Sequence, residues 1–317
     1  MKLIRHISIL ILGFAFLASG VWAGMGNSNV GTRIFNFLKI EVAAKPTSMG
    51  GAFTGIANDP SALYYNPAGT ADLAGQNFIA GYQNNVFDMQ SGLLGFIHPT
   101  GEGKKISAYV NYLNYGNFIK TDNNGVQDGT FSGSDMLFAV GYSMALKNNL
   151  RIGGMAKFIY EKVENFSASG AALDLSAKYG LNDKVTNFGL MIQNLGTQLS
   201  KFDSDSKKYS LPTAIRGGVS TRPKGLPLLI AGDIVAPFDN DVFFCLGAEY
   251  VNLKPLFLRL GWTSYGSNYK TNSSEDNLAG FSAGFGIEYH RMQISYSISP
   301  QAELGTSHRI TLTGGFD

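Results

Sequence analysis

From about residue 77 onward, large apolar residues alternate with small or polar ones with a period of two. In residues 136–146 the large residues Met, Phe, Val, Tyr, Met and Leu fall on one face, and Leu, Ala, Gly, Ser and Ala fall on the other. The same alternation recurs in residues 242–250 and 281–289. Successive side chains of a strand point to opposite faces, so the pattern predicts strands with one apolar face.

Turn residues divide this region into fourteen candidate strands. An apolar face fits either the core of a soluble sandwich or the lipid side of a membrane barrel. The connections favour the barrel, because short turns such as residues 147–148 alternate with longer connections. Three of these, residues 116–133, 196–210 and 265–277, are long and polar. Short turns on one rim and long loops on the other are typical of outer-membrane barrels.

The predicted fold is therefore all-β, a transmembrane antiparallel β-barrel of about fourteen strands with an N-terminal plug segment, in the bacterial outer membrane. Three parts are predicted: a signal peptide at residues 1–23, a plug or periplasmic segment at 24–74 and the barrel at 75–317. An even strand count brings the first and last strands together, with both chain ends on the periplasmic rim.

Composition agrees with this prediction. Charged residues make up 15% of the chain, against roughly 25% in soluble domains, and Gly, Tyr and Phe are numerous. Lys2 and Arg5 precede the apolar run 9–17, and Ala23 ends a cleavage-like site, so we expect a secretion signal. Its removal would leave 23 of the 25 basic side chains against 23 acidic ones, which argues against nucleic acid as a partner.

Residues 43–71 are too irregular for a strand and too rich in Gly and Pro for a long helix. We expect this stretch to enter from the periplasmic side and to occupy the lumen or cap its periplasmic mouth, since irregular backbone at membrane depth needs protein or water around it. The turn residues that define it are Met49, Gly50, Gly51, Asp59, Pro60, Asn66, Pro67 and Gly69.

The charged residues within the predicted strands include nine candidates for the lumen: Lys157, Asp174, Lys178, Arg216, Asp233, Glu249, Arg259, Glu288 and Arg309. A basic charge on the lipid face would cost about 2–4 kcal/mol at the membrane midplane, so these side chains should point inward. They form either a mutually paired, wet lumen or a path for a ligand.

No convincing enzymatic chemistry is visible, and we expect neither an enzyme nor a cofactor. Residues 280–284 match the GxSxG nucleophile motif, but they lie in an alternating strand with no helix after them. No two of the four histidines stand at metal-binding spacing. The single cysteine, Cys245, has apolar neighbours and is predicted to pack in the wall.

The N-terminal stretch resembles the signature of the PorV/PorQ family of outer-membrane proteins. The matching segments are Phe-Leu-Lys-Ile at 37–40, Met-Gly-Gly-Ala-Phe at 49–53, Ala-Asn-Asp-Pro at 57–60 and Leu-Tyr-Tyr-Asn-Pro-Ala-Gly at 63–69. The chain departs from that signature at Glu41, Lys45 and Tyr65. The family is related in fold to FadL-like fatty-acid transporters, whose N-terminal segment plugs a fourteen-stranded barrel.

The resemblance implies three functions. The first is an accessory in type IX-like protein secretion, with secretion proteins or their cargo as partners. The second is a FadL-like transporter with a hydrophobic ligand, which requires an apolar region in the lumen and a gap or kink in the wall. The third is a structural barrel whose only partner is outer-membrane lipid.

Overall fold

The computed structural model describes residues 30–147, 149–181, 185–203, 205 and 207–316. The predicted signal peptide lies outside these ranges. Antiparallel strands close into one barrel in which each strand pairs with its sequence neighbours and the first pairs with the last, so the predicted fourteen-stranded barrel is confirmed. The strands are β1 (Gln76–Asn84), β2 (Gln90–Gly101), β3 (Lys104–Thr121), β4 (Gln127–Lys147), β5 (Leu150–Val163), β6 (Phe166–Gly180), β7 (Thr186–Ser200), β8 (Ala214–Thr221), β9 (Leu228–Pro237), β10 (Phe243–Tyr250), β11 (Leu256–Thr263), β12 (Phe281–Tyr289), β13 (Met292–Pro300) and β14 (Thr306–Phe316).

The outer surface of the wall is apolar, as the period-two pattern predicts. On β4, the outward Phe138 and Val140 are 46% and 62% exposed, whereas Leu137 and Ala139 between them are 0% and 3% exposed. A closed barrel with an apolar outer surface is the architecture of outer-membrane proteins, which confirms the predicted location. None of the helices in the described ranges is long and apolar enough to cross a membrane.

Strands β3 and β4 are much longer than the sequence predicts. Most of the predicted loop 116–133 is strand, because β3 runs on to Thr121 and β4 begins at Gln127. Phe118 and Phe131 are register partners in this extension, and their ring centroids lie 5.2 Å apart. Aromatic cross-strand pairs stabilise a hairpin, so the ladder continues beyond the membrane where we expected a loop.

The other predicted long connections also carry structure. Strand β7 extends to Ser200 and so includes the first part of the predicted loop 196–210. The predicted loop 265–277 largely folds into two 3-10 helices, Ser264–Tyr269 and Ser274–Leu278. The wall itself is uneven in height, since β5 has 14 residues and β8 has only 8.

Candidate functional site: a plugged lumen

Residues 33–75, called the plug below, fill the bore of the barrel. The plug contains the helices α1 (Ala44–Ser48) and α2 (Ala62–Tyr65) and the 3-10 helices Asn36–Lys39 and Pro67–Asp72. Helix α1 packs against β11–β14, and the Pro67–Asp72 turn packs against β3–β6. Since all side chains of α1 are buried, the plug lies inside the ring of strands.

The plug spans the lumen from one mouth to the other. Its first residues lie at the rim of the long connections, where the N–H of Ile34 donates to the carbonyl of Ser210 at 3.2 Å. Its last residue lies near the rim of the short turns, where Lys105 Nζ donates to the carbonyl of Gly75 at 2.8 Å. We expected entry from the periplasmic side. The described segment instead begins at the extracellular mouth, where Lys39 pairs with Asp239.

The turn at Met49, Gly50 and Gly51 touches the wall backbone to backbone. Gly50 and Gly51 have φ angles of 66° and 84°, in the left-handed region that favours glycine. A Cβ on Gly50 would lie 2.5 Å from the backbone nitrogen of Trp262, and one on Gly261 would lie 2.0 Å from the nitrogen of Gly50. Glycine is therefore required on both sides of this contact.

Asp59 and Pro60 form the turn that leads into helix α2. The carboxylate of Asp59 accepts the backbone N–H of Ser61 at 2.8 Å through Oδ1 and pairs with Lys45 at 3.2 Å through Oδ2. An Asp that accepts a backbone N–H two residues on starts a turn, and proline favours the conformation that follows. The turn that precedes α2 is therefore bonded to helix α1 through Lys45.

Asn66, Pro67 and Gly69 join α2 to the last turn of the plug. The Asn66 side chain donates to the carbonyl of Thr54 at 2.7 Å and accepts the N–H of Ala68 at 3.2 Å. Pro67 occupies the start of the 3-10 helix, and a Cβ on Gly69 would lie 2.2 Å from the carbonyl oxygen of Ala57. The Asn-Pro-Ala-Gly element thus locks two plug segments together.

Eight of the nine charged residues predicted for the lumen are buried: Lys157, Asp174, Lys178, Arg216, Asp233, Glu249, Arg259 and Arg309. Glu288 is half-buried and lines a cavity at the periplasmic mouth. Six of the buried residues form three ion pairs: Lys157–Asp174 at 2.6 Å, Arg216–Asp233 at 3.7 Å and Arg259–Glu249 at 2.6 Å. Pairing offsets the cost of removing these charges from water.

Several of these charges also hold the plug. Asp233 Oδ2 accepts the backbone N–H groups of Phe53 and Thr54 at 3.2 and 2.9 Å. Arg216 Nη2 donates to the carbonyl of Gly51 at 2.7 Å. The backbone of residues 51–54 is therefore hydrogen-bonded to both members of the Arg216–Asp233 ion pair of the wall.

The two remaining basic residues bind plug atoms. Lys178 Nζ donates to the carbonyl of Ala57 at 3.0 Å and pairs with Asp72 at 3.2 Å. Arg309 Nε donates to the carbonyl of Glu41 at 3.0 Å. Charged hydrogen bonds of this kind are stronger than neutral ones, so the strand charges clamp the plug from several sides.

Large apolar residues are concentrated on one side of the lumen, with the buried polar side chains of Asn111, Asp135 and Lys157 among them. The apolar strip consists of inward-facing residues on β1–β5: Ile79, Leu93, Ile97, Tyr109, Leu113, Leu137, Met155 and Ile159. Helix α2 packs on it, with the rings of Tyr64 and Tyr109 6.0 Å apart. The signal in the sequence was Leu137, a large apolar residue on the face that otherwise carries small ones.

The ladder between β7 and β8 stops partway up the wall. Its last regular pair is Gln193 with Ala214, and next to it Asn194 has a φ of 56° beside a register shift in the β6–β7 ladder. Beyond this point the segments are joined by one isolated backbone bridge, Thr197 with Ser210, and by side chains. Asn194 donates to the carbonyl of Pro212 at 3.2 Å, and Thr213 Oγ1 donates to the carbonyl of Asn194 at 2.8 Å. This region, residues 194–200 against 210–213, is called the wall break below.

The serine of the GxSxG match has a structural contact. Ser282 lies inside β12, and its Oγ accepts the N–H of Gly50 at 3.2 Å. Cys245 is buried on β10 with its thiol 3.6 Å from Thr263 Oγ1. Both side chains therefore belong to the wall around the Met49–Gly51 turn.

No family model matches the chain, and no curated protein matches it. Solved structures do: the toluene transporter TodX of Pseudomonas putida has a TM-score of 0.58 and 14% identity, over 86% of this chain and 96% of that one. The toluene transporter TbuX of Ralstonia pickettii has a TM-score of 0.61 and 12% identity, over 87% and 98%. A Pseudomonas aeruginosa FadL homologue has a TM-score of 0.56 and 10% identity, over 88% and 99%. At these identities the likeness shows the fold, which is that of FadL-like outer-membrane barrels.

Proposed function

We propose that the chain passes hydrophobic small molecules across the outer membrane. The observation that carries this proposal is the apolar strip, because a lumen lined only by charges would reject such molecules. Two of the proteins that share the fold are toluene transporters, which supports the same class of solute.

The wall break supplies the second element that such a passage needs. The interrupted β7–β8 ladder marks this place, whereas strand length does not, since β8, β10 and β11 all have 8 residues. Leu211, inside the break, is buried and belongs to the same hydrophobic cluster as Ile159 of the strip. The break and the strip therefore border the same hydrophobic core.

The plug closes this route as the structure stands, so passage requires a local shift. Helix α2 is the part best suited to move, because its tyrosine hydroxyls bond within the plug. Tyr64 Oη donates to the carbonyl of Leu38 at 2.8 Å, and Tyr65 Oη accepts the N–H of Val42 at 3.0 Å. Its contact with the apolar strip is made by Leu63 and the ring of Tyr64.

The proposal is tested by solute uptake into cells that lack their own hydrocarbon transporter. Expression of the chain is expected to raise the initial rate of uptake of labelled toluene, with no change for a labelled sugar of similar size. Equal toluene uptake with and without the chain, at matched amounts of folded barrel in the membrane, would refute a transport role.

A second candidate, an accessory in protein secretion, is favoured by the PorV/PorQ-like residues, which form the contacts of the plug. The β3–β4 hairpin, whose Phe118 and Ile119 are exposed, offers a protein-binding surface beyond the membrane. Gentle extraction followed by identification of bound proteins tests this role. Recovery of the barrel alone, under conditions that preserve other secretion complexes, would count against it.

We also propose that the chain is not an enzyme. Ser282 is the serine of the GxSxG match, and its Oγ already accepts a hydrogen bond from the backbone N–H of Gly50 in the plug. Hydrolysis of a short-chain nitrophenyl ester by the purified barrel, reduced in a Ser282→Ala variant that keeps its fold, would contradict this.

A further inference from the structure

A cavity of about 610 Å³ opens at the rim of the short turns. Asn58, Asp59 and Pro60 of the plug form its inner end, and the ends of β10–β14 and β1 with the β8–β9 turn form its sides. We call it the vestibule. Its volume is within the roughly 300–1,000 Å³ range of ligand pockets, and its residues lie outside the apolar strip and the wall break.

The vestibule carries a surplus of positive charge. Two of its three carboxylates are already paired, Asp59 with Lys45 and Glu249 with Arg259. Arg222, Lys254 and Arg291 come from three different turns around the opening, with Glu288 as the other carboxylate. Even with Arg291 left aside as a bonded rim residue, Arg222 and Lys254 outnumber Glu288, so the vestibule keeps a net positive charge.

Neutral hydrogen-bonding groups line the same walls. Asn77, Asn252, Gln293 and Thr313 all border the vestibule, and Arg291 is held at the rim by a 3.3 Å bond to the carbonyl of Ala74. Guanidinium groups with amide and hydroxyl donors are the usual partners of carboxylates. The plug closes the inner end, and the three basic side chains are exposed at the turns around the opening.

We propose that the vestibule binds a carboxylate-bearing ligand from the periplasm. The ligand approaches Arg222, Lys254 and Arg291 and reaches the turn at Asp59. That turn is tied to helix α1 through Lys45, whose Nζ also donates to Asn58 Oδ1 at 2.8 Å. Carboxylate groups of this kind are present both in a small dicarboxylate and at the C-terminal end of an acidic peptide. The proposal is independent of the transport role.

The test is a binding titration with the purified full-length barrel in detergent. The probes are succinate, an acidic heptapeptide with a free C-terminus and the same peptide with neutral side chains and an amidated end. The acidic peptide, succinate or both are expected to bind, more weakly as salt rises, and the neutral peptide is not. Binding of succinate alone assigns the site to a small molecule, and binding of the peptide alone assigns it to a protein tail.

The variant Arg222→Gln with Lys254→Gln is expected to weaken binding about ten-fold. Its matched control is Lys120→Gln with Lys270→Gln, which removes two exposed basic charges from the opposite rim and should leave the affinity unchanged. Absence of binding by both acidic probes, or equal loss of affinity in the two double variants, would overturn the proposal. The heat-induced unfolding of each variant in detergent checks that the barrel is intact.

Discussion

The carboxylate of Asp233 on β9 accepts the backbone N–H of Thr54 in the plug at 2.9 Å. The same oxygen accepts the N–H of Phe53 and lies 3.7 Å from Arg216. A single buried side chain of the wall therefore balances a wall charge and fixes the plug. This double use explains how a chain with few charges places several of them inside a membrane barrel.

Replacing Asp233 with Ala should free this part of the plug. Loss of one partner of a buried ion pair costs about 3–5 kcal/mol, because Arg216 and two backbone N–H groups lose their acceptor. Urea unfolding followed by tryptophan fluorescence measures the change, since Trp262 borders the Met49–Gly51 turn. Asp128→Ala, at an exposed position of the β3–β4 hairpin, is the control, and equal stability of the two variants would contradict the clamp.

Glycines of the wall should be essential where the plug touches them. A Cβ on Gly189 would lie 1.9 Å from the carbonyl oxygen of Thr54, whereas one on Gly217 meets nothing within 4 Å. Gly189→Ala should therefore block docking of the plug and lower the folded yield, at a cost of about 1–3 kcal/mol or more. Gly217→Ala should be neutral, and similar yields for both variants would argue against this packing.

The orientation of the barrel predicts which turns reach the cell surface. An epitope inserted between Asn123 and Asn124, at the tip of the β3–β4 hairpin, should bind antibody on intact cells. The same epitope between Glu102 and Gly103, in the β2–β3 turn, should bind only after the outer membrane is permeabilised. The reverse labelling pattern would place the long hairpin, and with it the start of the plug, on the periplasmic side.

An extracellular turn should lose its order in acid. Backbone N–H groups of Thr271, Asn272 and Ser273 lower the pKa of the Asp276 carboxyl below its ordinary value of 3.8. Because the pKa is lower in the folded turn, the ionised carboxylate stabilises that turn at pH values above its pKa in the unfolded chain. This stabilisation is lost as the pH falls through the folded pKa. The protection of the Thr271 and Asn272 amides against exchange, relative to an unstructured chain at the same pH, should thus fall only below pH 3.8. Asp276→Ala should show little protection at any pH, and strong protection in that variant would contradict this turn.

The strands could be predicted from the sequence because each wall residue has only two directions, inward or outward. The outward Phe138 and Val140 follow from that rule alone. The concentration of large apolar residues on one side of the lumen could not, because it depends on which strands helix α2 lies against. The apolar strip was visible only as single residues such as Leu137.

The contacts between the plug and the wall could not be predicted from the sequence for a different reason. In the sequence, Gly189 and Gly261 cannot be told apart from other strand glycines. In the structure, the backbone of the plug packs directly against them. Such contacts join residues more than a hundred positions apart, so no local pattern reveals them. The Gly50–Gly51 bend was predictable, whereas its partner Trp262 was not.

The most direct test of the transport proposal compares two inward-facing leucines. Leu113 belongs to the apolar strip, and Leu229 is equally buried on β9 outside it. Leu113→Gln places an amide in the proposed path, at a cost of about 1–3 kcal/mol, and should lower the initial rate of toluene uptake by roughly ten-fold. Leu229→Gln, at the same level of folded barrel, should leave uptake near the wild-type rate. Equal uptake by both variants and the wild type would contradict passage along the apolar strip.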